Sequence, residues 1–309
     1  MKNMKHVVGF SGGVDSQMCA LWVRRKFPAE DIILLNSQAG RNEHPMTVAF
    51  VNWYSANVFP VIETIPLIKD LGGRGTRKDK VEEEIIDGVL QTTVIVNQTR
   101  VRRQEYNDED EMTFADLAYI KGRFPSRKAQ FCTEHLKLAP QMRWCEENLT
   151  AKGIEFERYV GVRCDESHER KDTPESKWDE YFKCTVNYPI RCWTKMECFA
   201  VLKSAGEEVN PLYKMGFGRV GCAPCINSGK DDIREWAARF PEMIDKVREW
   251  EKYVGRTFFA PCVPGMEINW IDDVVAWSKT ARGGKQPLFA FVENDAADGT
   301  CSSKYGLCE

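Results

Sequence analysis

The chain has 309 residues, of which 43% are apolar and 29% charged, and a net charge of −3. Those proportions fit an ordinary globular protein of one large domain or two smaller ones, and they exclude a disordered or fibrous chain. The slightly acidic balance excludes a molecule that is basic throughout, although local basic runs remain.

No apolar run reaches the roughly 18 residues a membrane span needs. Met1 to His6 lacks the apolar stretch and cleavage site of a signal peptide. Twelve cysteines without such a signal favour metal ligation or redox chemistry over a disulfide framework, and a cytoplasmic location is expected.

Residues 5–10 read as a short buried strand that ends in a Gly-rich turn. Residues 15–26 follow as a helix with Met18, Cys19, Leu21, Trp22 and Val23 on its apolar stripe. A second buried strand over 31–36, a helix over 47–56 and a strand over 59–64 continue the alternation. That rhythm predicts an α/β fold, a parallel sheet with helices on both faces.

From about 68 to 113 the pattern lapses into Gly/Arg/Lys, basic and acidic runs, which reads as an insertion or mobile loop region. Helices near 113–121 and 134–150, a strand at 154–162 and a helix over 194–205 restore it. Residues 231–253 read as one amphipathic helix, and the tail after Asn294 needs a tether to be ordered. The expected division is a nucleotide-binding-type sheet domain over 1–205 and a smaller, mainly helical, Cys-containing region over 206–309.

The first turn, Ser11-Gly12-Gly13-Val14-Asp15-Ser16, joins a strand to a helix. Backbone N–H groups in such a turn converge on phosphate oxygens, and the helix N-terminus adds a favourable dipole. Ser11 and Ser16 supply hydroxyls, and Asp15 either caps the helix or helps hold Mg2+. The turn is neither a Walker loop nor a G-x-G-x-x-G fingerprint. Asn36 and Gln38 follow the second strand, where open α/β sheets bind ligands. Arg163, in a turn with Gly161, either clamps phosphate or sulfate or pairs with Asp165 or Glu166.

Cys222 and Cys225, flanked by Gly221 and Pro224, have the spacing that turns two thiolates toward one metal. Cys301 and Cys308 can complete a four-thiolate site with them, and either zinc or an iron–sulfur cluster satisfies that donor set. Cys19, Cys145 and Cys198 sit in helical stripes and read as buried unligated thiols. Arg74 to Lys80, Arg100 to Arg103 and Arg123 to Lys128 read either as solvated loops or as contacts to a polyanion, and the turn Ser278 to Lys285 either as a solvated loop or as a contact to nucleic acid or the nucleotide. Arg170 and Lys171 read first as a solvated charged face and second as side chains that close over the nucleotide.

Ser11 to Ser16 resembles the PP-loop of the adenine-nucleotide α-hydrolases. Three segments resemble the branch named for phosphoadenosine phosphosulfate reductase: Phe131 to Pro140, Gly161 to Ser167, and Asn210 to Tyr213 with Gly218 to Cys225. The resemblance implies a PP-loop fold, ATP with Mg2+, and an iron–sulfur cluster, with zinc as the alternative. It adds Cys132 to the metal candidates. It also makes Lys137 a ligand-binding residue and, with Asp15 and Arg163, a catalytic candidate.

Thr133 departs from the adjacent cysteines of the iron–sulfur reductases, and Ser37 to Gly40 lacks the acid common in relatives. The terminal Lys304 to Glu309 departs from the reductases' catalytic-cysteine segment. The departures at position 133 and at the C-terminus, with the intact loop, favour an enzyme that cleaves ATP at the α-phosphate and adenylates an acceptor, in analogy with sulfur transfer to nucleic acid. A sulfonucleotide reductase is one alternative, and a non-catalytic nucleotide-binding subunit of a phage or CRISPR-type defence complex is another. Nucleic acid, partner proteins and a second copy of the chain are the expected partners, with no membrane.

Overall fold

The structure, a computed structural model, describes residues 4–72, 80–86, 89–166 and 170–281. Its centre is a six-stranded sheet of order β3-β2-β1-β6-β8-β7. The strands are β1 (Lys5–Gly9), β2 (Ile32–Asn36), β3 (Val61–Glu63), β6 (Phe156–Tyr159), β7 (Ser176–Asp179) and β8 (Cys184–Asn187). All neighbours pair in parallel except β7, which runs antiparallel to β8 at one edge. The expected α/β sheet with helices is therefore the observed fold.

The β-branched and leucine runs of β1 and β2 are buried because the sheet is covered on both faces. Helix α1 (Val14–Lys26) packs Cys19, Ala20 and Val23 with Val8, Leu34 and Tyr54, the last from α2 (Pro45–Asn57). Val7, Leu35 and Phe156 pack instead with Leu138, Cys145 and Leu149.

Chain order runs from β1 outward through β2 and β3, and β6 then returns to the other side of β1. The carboxyl ends of β1 and β6 consequently flank the switch point where parallel α/β sheets open a crevice.

Several elements differ from the sequence expectation. The 68–113 stretch is more regular than expected, with a hairpin of β4 (Lys80–Ile86) and β5 (Val89–Ile95) and helix α3 (Gln98–Arg103). Ile68, Leu71 and Met112 from its ends are fully buried core.

The helix foreseen over 134–150 starts earlier. It runs as α5 (Phe131–Thr133), a π-turn (Glu134–Leu138) and α6 (Ala139–Asn148). Pro241 lacks the N–H a helix interior needs, so 231–253 divides into α9 (Lys230–Arg239) and α10 (Pro241–Val254). The remaining helices are α4 (Phe114–Lys121), α7 (Lys195–Ser204), α8 (Pro211–Lys214) and α11 (Ile271–Ser278).

The largest core cluster joins α4 residues Phe114, Leu117 and Ile120 to Trp236, Val247, Phe258 and Val274. Among the described residues no helix is long and apolar enough to cross a membrane.

Candidate functional site

The loop at residues 11–16 leaves the carboxyl end of β1 and enters α1. Its turn is held from within: the Ser11 amide and hydroxyl each donate to Ser16 Oγ at 3.1 Å, and that hydroxyl donates to the Gly13 carbonyl at 2.9 Å. Gly12 has φ +79°, a left-handed conformation that favours glycine, and a Cβ there would meet Val51 at 2.9 Å.

Two residues after position 205 close the turn from outside. The Val14 amide donates to the Tyr213 hydroxyl at 3.0 Å. Asn210 Nδ2 donates to the Gly12 carbonyl at 3.4 Å and to Thr47 Oγ1 at 3.0 Å. Both residues lie in the Asn210 to Tyr213 segment, whose resemblance to the family implies no role for either.

Gly161 follows β6 and lies against the loop helix, where a Cβ would sit 2.4 Å from the Asp15 carbonyl oxygen. That close approach brings Arg163 to Asp15, with Nε to Oδ1 at 2.7 Å and both side chains buried. Arg163 also pairs with Asp165 at 2.5 Å, and its amide donates to Glu166 at 3.4 Å. Glu166 in turn pairs with Arg170, which is buried and not on a solvated face. Arg163 is thus ion-paired locally with Asp165, the second of its two expected roles, and through Asp15 it lies against the phosphate-type loop.

Asn36 is buried, and its Nδ2 donates to the Phe10 carbonyl at 2.7 Å, which fixes the end of β1. Gln38 is half-buried, and its carbonyl accepts from the Asn42 amide at 3.1 Å. Between them Ser37 Oγ shares a 2.5 Å hydrogen bond with Thr64 and reaches the Lys137 carbonyl at 3.3 Å. The loop after β2 thus links the turn at 11–16 to the π-turn segment that carries Lys137.

Lys137 projects into a cavity lined by Cys132, Cys222, Cys225, Gln130 and Arg219. Three of the five cysteines singled out for metal therefore meet here, from two segments far apart in sequence. Cys301 and Cys308 lie outside the described residues. Cys19, Cys145 and Cys198 are buried elsewhere, as expected.

A hydrogen bond from Cys222, aided by Arg219, Lys137 and the Asn227 amide, overcomes burial and brings the Cys225 thiol down to about 5. Cys222, the donor to that thiolate, is raised. Burial pushes Cys132 up to about 12. Burial lowers Lys137, but Cys222, Glu43, Cys225 and Cys132 outweigh it and hold the ammonium at about 12. A thiolate beside a buried cation is the state in which cysteine binds metal. As the side chains stand, no three His, Cys, Asp or Glu groups among the described residues are placed to hold a single ion.

The run Arg100 to Arg103 is locally engaged through its last two residues. Arg103 pairs with Asp108 at 2.6 Å, and Arg102 donates to the Tyr119 carbonyl at 2.6 Å. Most of Arg74 to Lys80, and the turn beyond Ala281, lie outside the described residues.

A family model described as the phosphoadenosine phosphosulfate reductase domain matches residues 80–228. A protein of Escherichia phage 186, described as an uncharacterized 37.8 kDa protein, is 32% identical, with 98% of this chain and 96% of that protein covered. Adenosine 5′-phosphosulfate reductase of Streptomyces coelicolor is 36% identical over 84 residues, which are 26% of this chain and 36% of that enzyme. The same enzyme of Rhizobium tropici is 28% identical over 48% of this chain and 80% of its own length.

Phosphoadenylyl-sulfate reductase from Candida auris, solved as a phosphate complex, superposes with a TM-score of 0.43 at 12% identity, covering 73% of this chain and 83% of that one. With the loop at 11–16, the Gly161–Arg163 turn and the Cys132/Cys222/Cys225 cavity in place, the chain belongs to the phosphoadenosine phosphosulfate reductase-like family of PP-loop proteins.

Proposed function

We propose that the chain binds ATP with Mg2+ on the 11–16 loop, cleaves it at the α-phosphate with pyrophosphate as leaving group, and adenylates an acceptor for sulfur transfer to nucleic acid. The observation that carries this reading is the intact loop, braced at the carboxyl end of β1 by Asn210, Tyr213 and Gly161. Its amides and serine hydroxyls, with the α1 dipole, suit charge that builds on phosphate oxygens.

Asp15 is tied to Arg163 deep in the structure and positions the loop. The second Arg163 partner, Asp165, is largely exposed and is the easier of the two to exchange for a phosphate oxygen. By donor chemistry Cys132, Cys222 and Cys225 suit an iron–sulfur cluster, with zinc as the alternative, but as the side chains stand they do not converge on one ion. Such a centre, when bound, supplies metal-held sulfur chemistry. Lys137 offsets the thiolate charge from within the cavity.

A second reading, reduction of a sulfonucleotide, is favoured by the 36% identical stretch shared with the Streptomyces reductase. One experiment separates the readings. Anaerobically purified protein is assayed for pyrophosphate release from ATP and for sulfite release from adenylyl sulfate with a thiol reductant. Pyrophosphate release that falls about a hundredfold in Ser16→Ala supports the lead reading. Sulfite release without pyrophosphate moves the assignment to the reductase. Nucleotide binding with neither product leaves a binding subunit and overturns both enzymatic readings.

A further inference from the structure

The three thiols that line the cavity are not placed alike. Cys222 donates a hydrogen bond to Cys225, and the Asn227 amide donates to the same sulfur at 3.4 Å. Cys132 takes its hydrogen bonds instead from the amide and hydroxyl of Thr133. Metal ligation needs the sulfurs turned toward one ion, and no three suitable groups among the described residues are so placed. A thiol that donates to a neighbouring sulfur is turned toward that sulfur, which is the approach a disulfide needs.

The backbone holds the pair in that approach. Cys222 bridges Glu43 in an antiparallel contact, and the Ala223 amide donates to the Asn42 carbonyl at 2.8 Å. At the other end the Cys225 amide donates to Ser228 Oγ at 3.2 Å. Joining the two sulfurs therefore asks for side-chain rotation within a fixed turn, and the spacing of two residues is that of redox-active dithiols. Lys137 and Arg219 share the lining and offset negative charge on sulfur. Both cysteines are only half-buried, so a small reagent has access to them.

We propose that Cys222 and Cys225 form a metal-free dithiol that exchanges with low-molecular-weight disulfides and closes to a Cys222–Cys225 disulfide. This takes the place of the metal centre and does not rest on the nucleotide reading. Cys225, which accepts both hydrogen bonds, is the attacking sulfur. It bonds to one sulfur of the reagent disulfide, whose S–S bond breaks and releases the first thiolate. Cys222 then gives up its proton and attacks Cys225 Sγ, and the second thiol leaves. The pair loses two electrons and two protons in all, and the reagent disulfide gains them as two thiols.

The test uses the full chain, purified without oxygen, assayed for bound metal and equilibrated in glutathione redox buffers. Readouts are intact mass, alkylation of free thiols and mapping of linked peptides. The wild type is expected to become lighter by two hydrogen atoms and to yield a Cys222–Cys225 link. The change from about a tenth to nine tenths oxidised is expected over roughly a hundredfold change in the squared glutathione concentration divided by that of its disulfide.

Cys222→Ser is expected to stop at a stable glutathione adduct on Cys225, and Cys132→Ser to oxidise as the wild type does. Three results would overturn the proposal. They are a pair that stays fully alkylated in the most oxidising buffer, a link from either cysteine to Cys132, Cys301 or Cys308, and metal bound in proportion to the chain that is lost in both Cys222→Ser and Cys225→Ser. The wild-type link needs no variant, so a substitution that fails to fold leaves the test decisive.

Discussion

A methyl group at position 161 would lie 2.4 Å from the Asp15 carbonyl oxygen and 2.9 Å from the Ser16 amide, both backbone atoms with little room to yield. Gly161→Ala is therefore expected to cost about 1–3 kcal/mol by overpacking and to push the 11–16 loop out of register. Calorimetric nucleotide titration checks this: binding is expected to weaken far more than thermal stability falls, and unchanged affinity would refute the contact.

His135 makes a second residue-level case. Its ring is buried, and burial with Lys121 nearby brings its pKa down to about 3 against a hydrogen bond to the Asp70 backbone. Between 6.5 and 3 the unfolded chain takes up a proton that the folded chain refuses. Stability from this group is thus full above 6.5 and declines as pH falls, by at most about 1.4 kcal/mol per pH unit. Urea melts from pH 7 to 4 should show a shallower pH slope for His135→Gln than for wild type.

At the scale of elements, legibility followed burial pattern. The succession β1-α1-β2-α2-β3 is readable because β1 and β2 are buried apolar runs, β3 is a β-branched pair at the sheet edge, and each helix follows a turn. The β4–β5 hairpin was not, because neither strand joins the six-stranded sheet and no half-buried face produces a consistent alternation. Val81, Ile85, Leu90 and Val94 share one face of the hairpin and are each more than half exposed. The edge pair β7–β8 was missed for a related reason: four-residue strands with Lys177 and Trp178 outward carry little period.

The site divides the same way. The phosphate-type loop is contiguous and legible, whereas the thiol cavity needs residues 132, 137 and 222–225 brought together by the chain path. A two-stranded ribbon without a core is marginal by itself. Replacing residues 80–95 by a short Gly/Ser linker is expected to shift stability by less than about 1 kcal/mol and to leave nucleotide affinity intact. A collapse in the thermal melt would show that the hairpin supports the sheet.

At the scale of the whole molecule, residues 207–213 tie the later part of the chain to the nucleotide-type loop and α1. Asn210 and Tyr213 bond the loop backbone, and Glu207 pairs with Arg24 of α1 at 2.6 Å while also accepting from Gln17 at 3.1 Å. The largest core cluster needs α9, α10 and α11 to cover Phe114, Leu117, Ile120 and Leu136. A fragment ending at residue 205 would keep the parallel sheet yet expose that apolar surface and leave the Gly12 carbonyl and Val14 amide without these partners. The lost burial is several large side chains at about 1.5–3 kcal/mol each, comparable with the entire stability of a typical domain. The fragment is therefore expected to lack a cooperative melt and to show no measurable ATP binding. Adding residues 206–281 in trans is expected to restore both only if the two pieces fold together. A fragment 1–205 that melts cooperatively and binds ATP with full affinity would show that the loop is braced by the sheet alone.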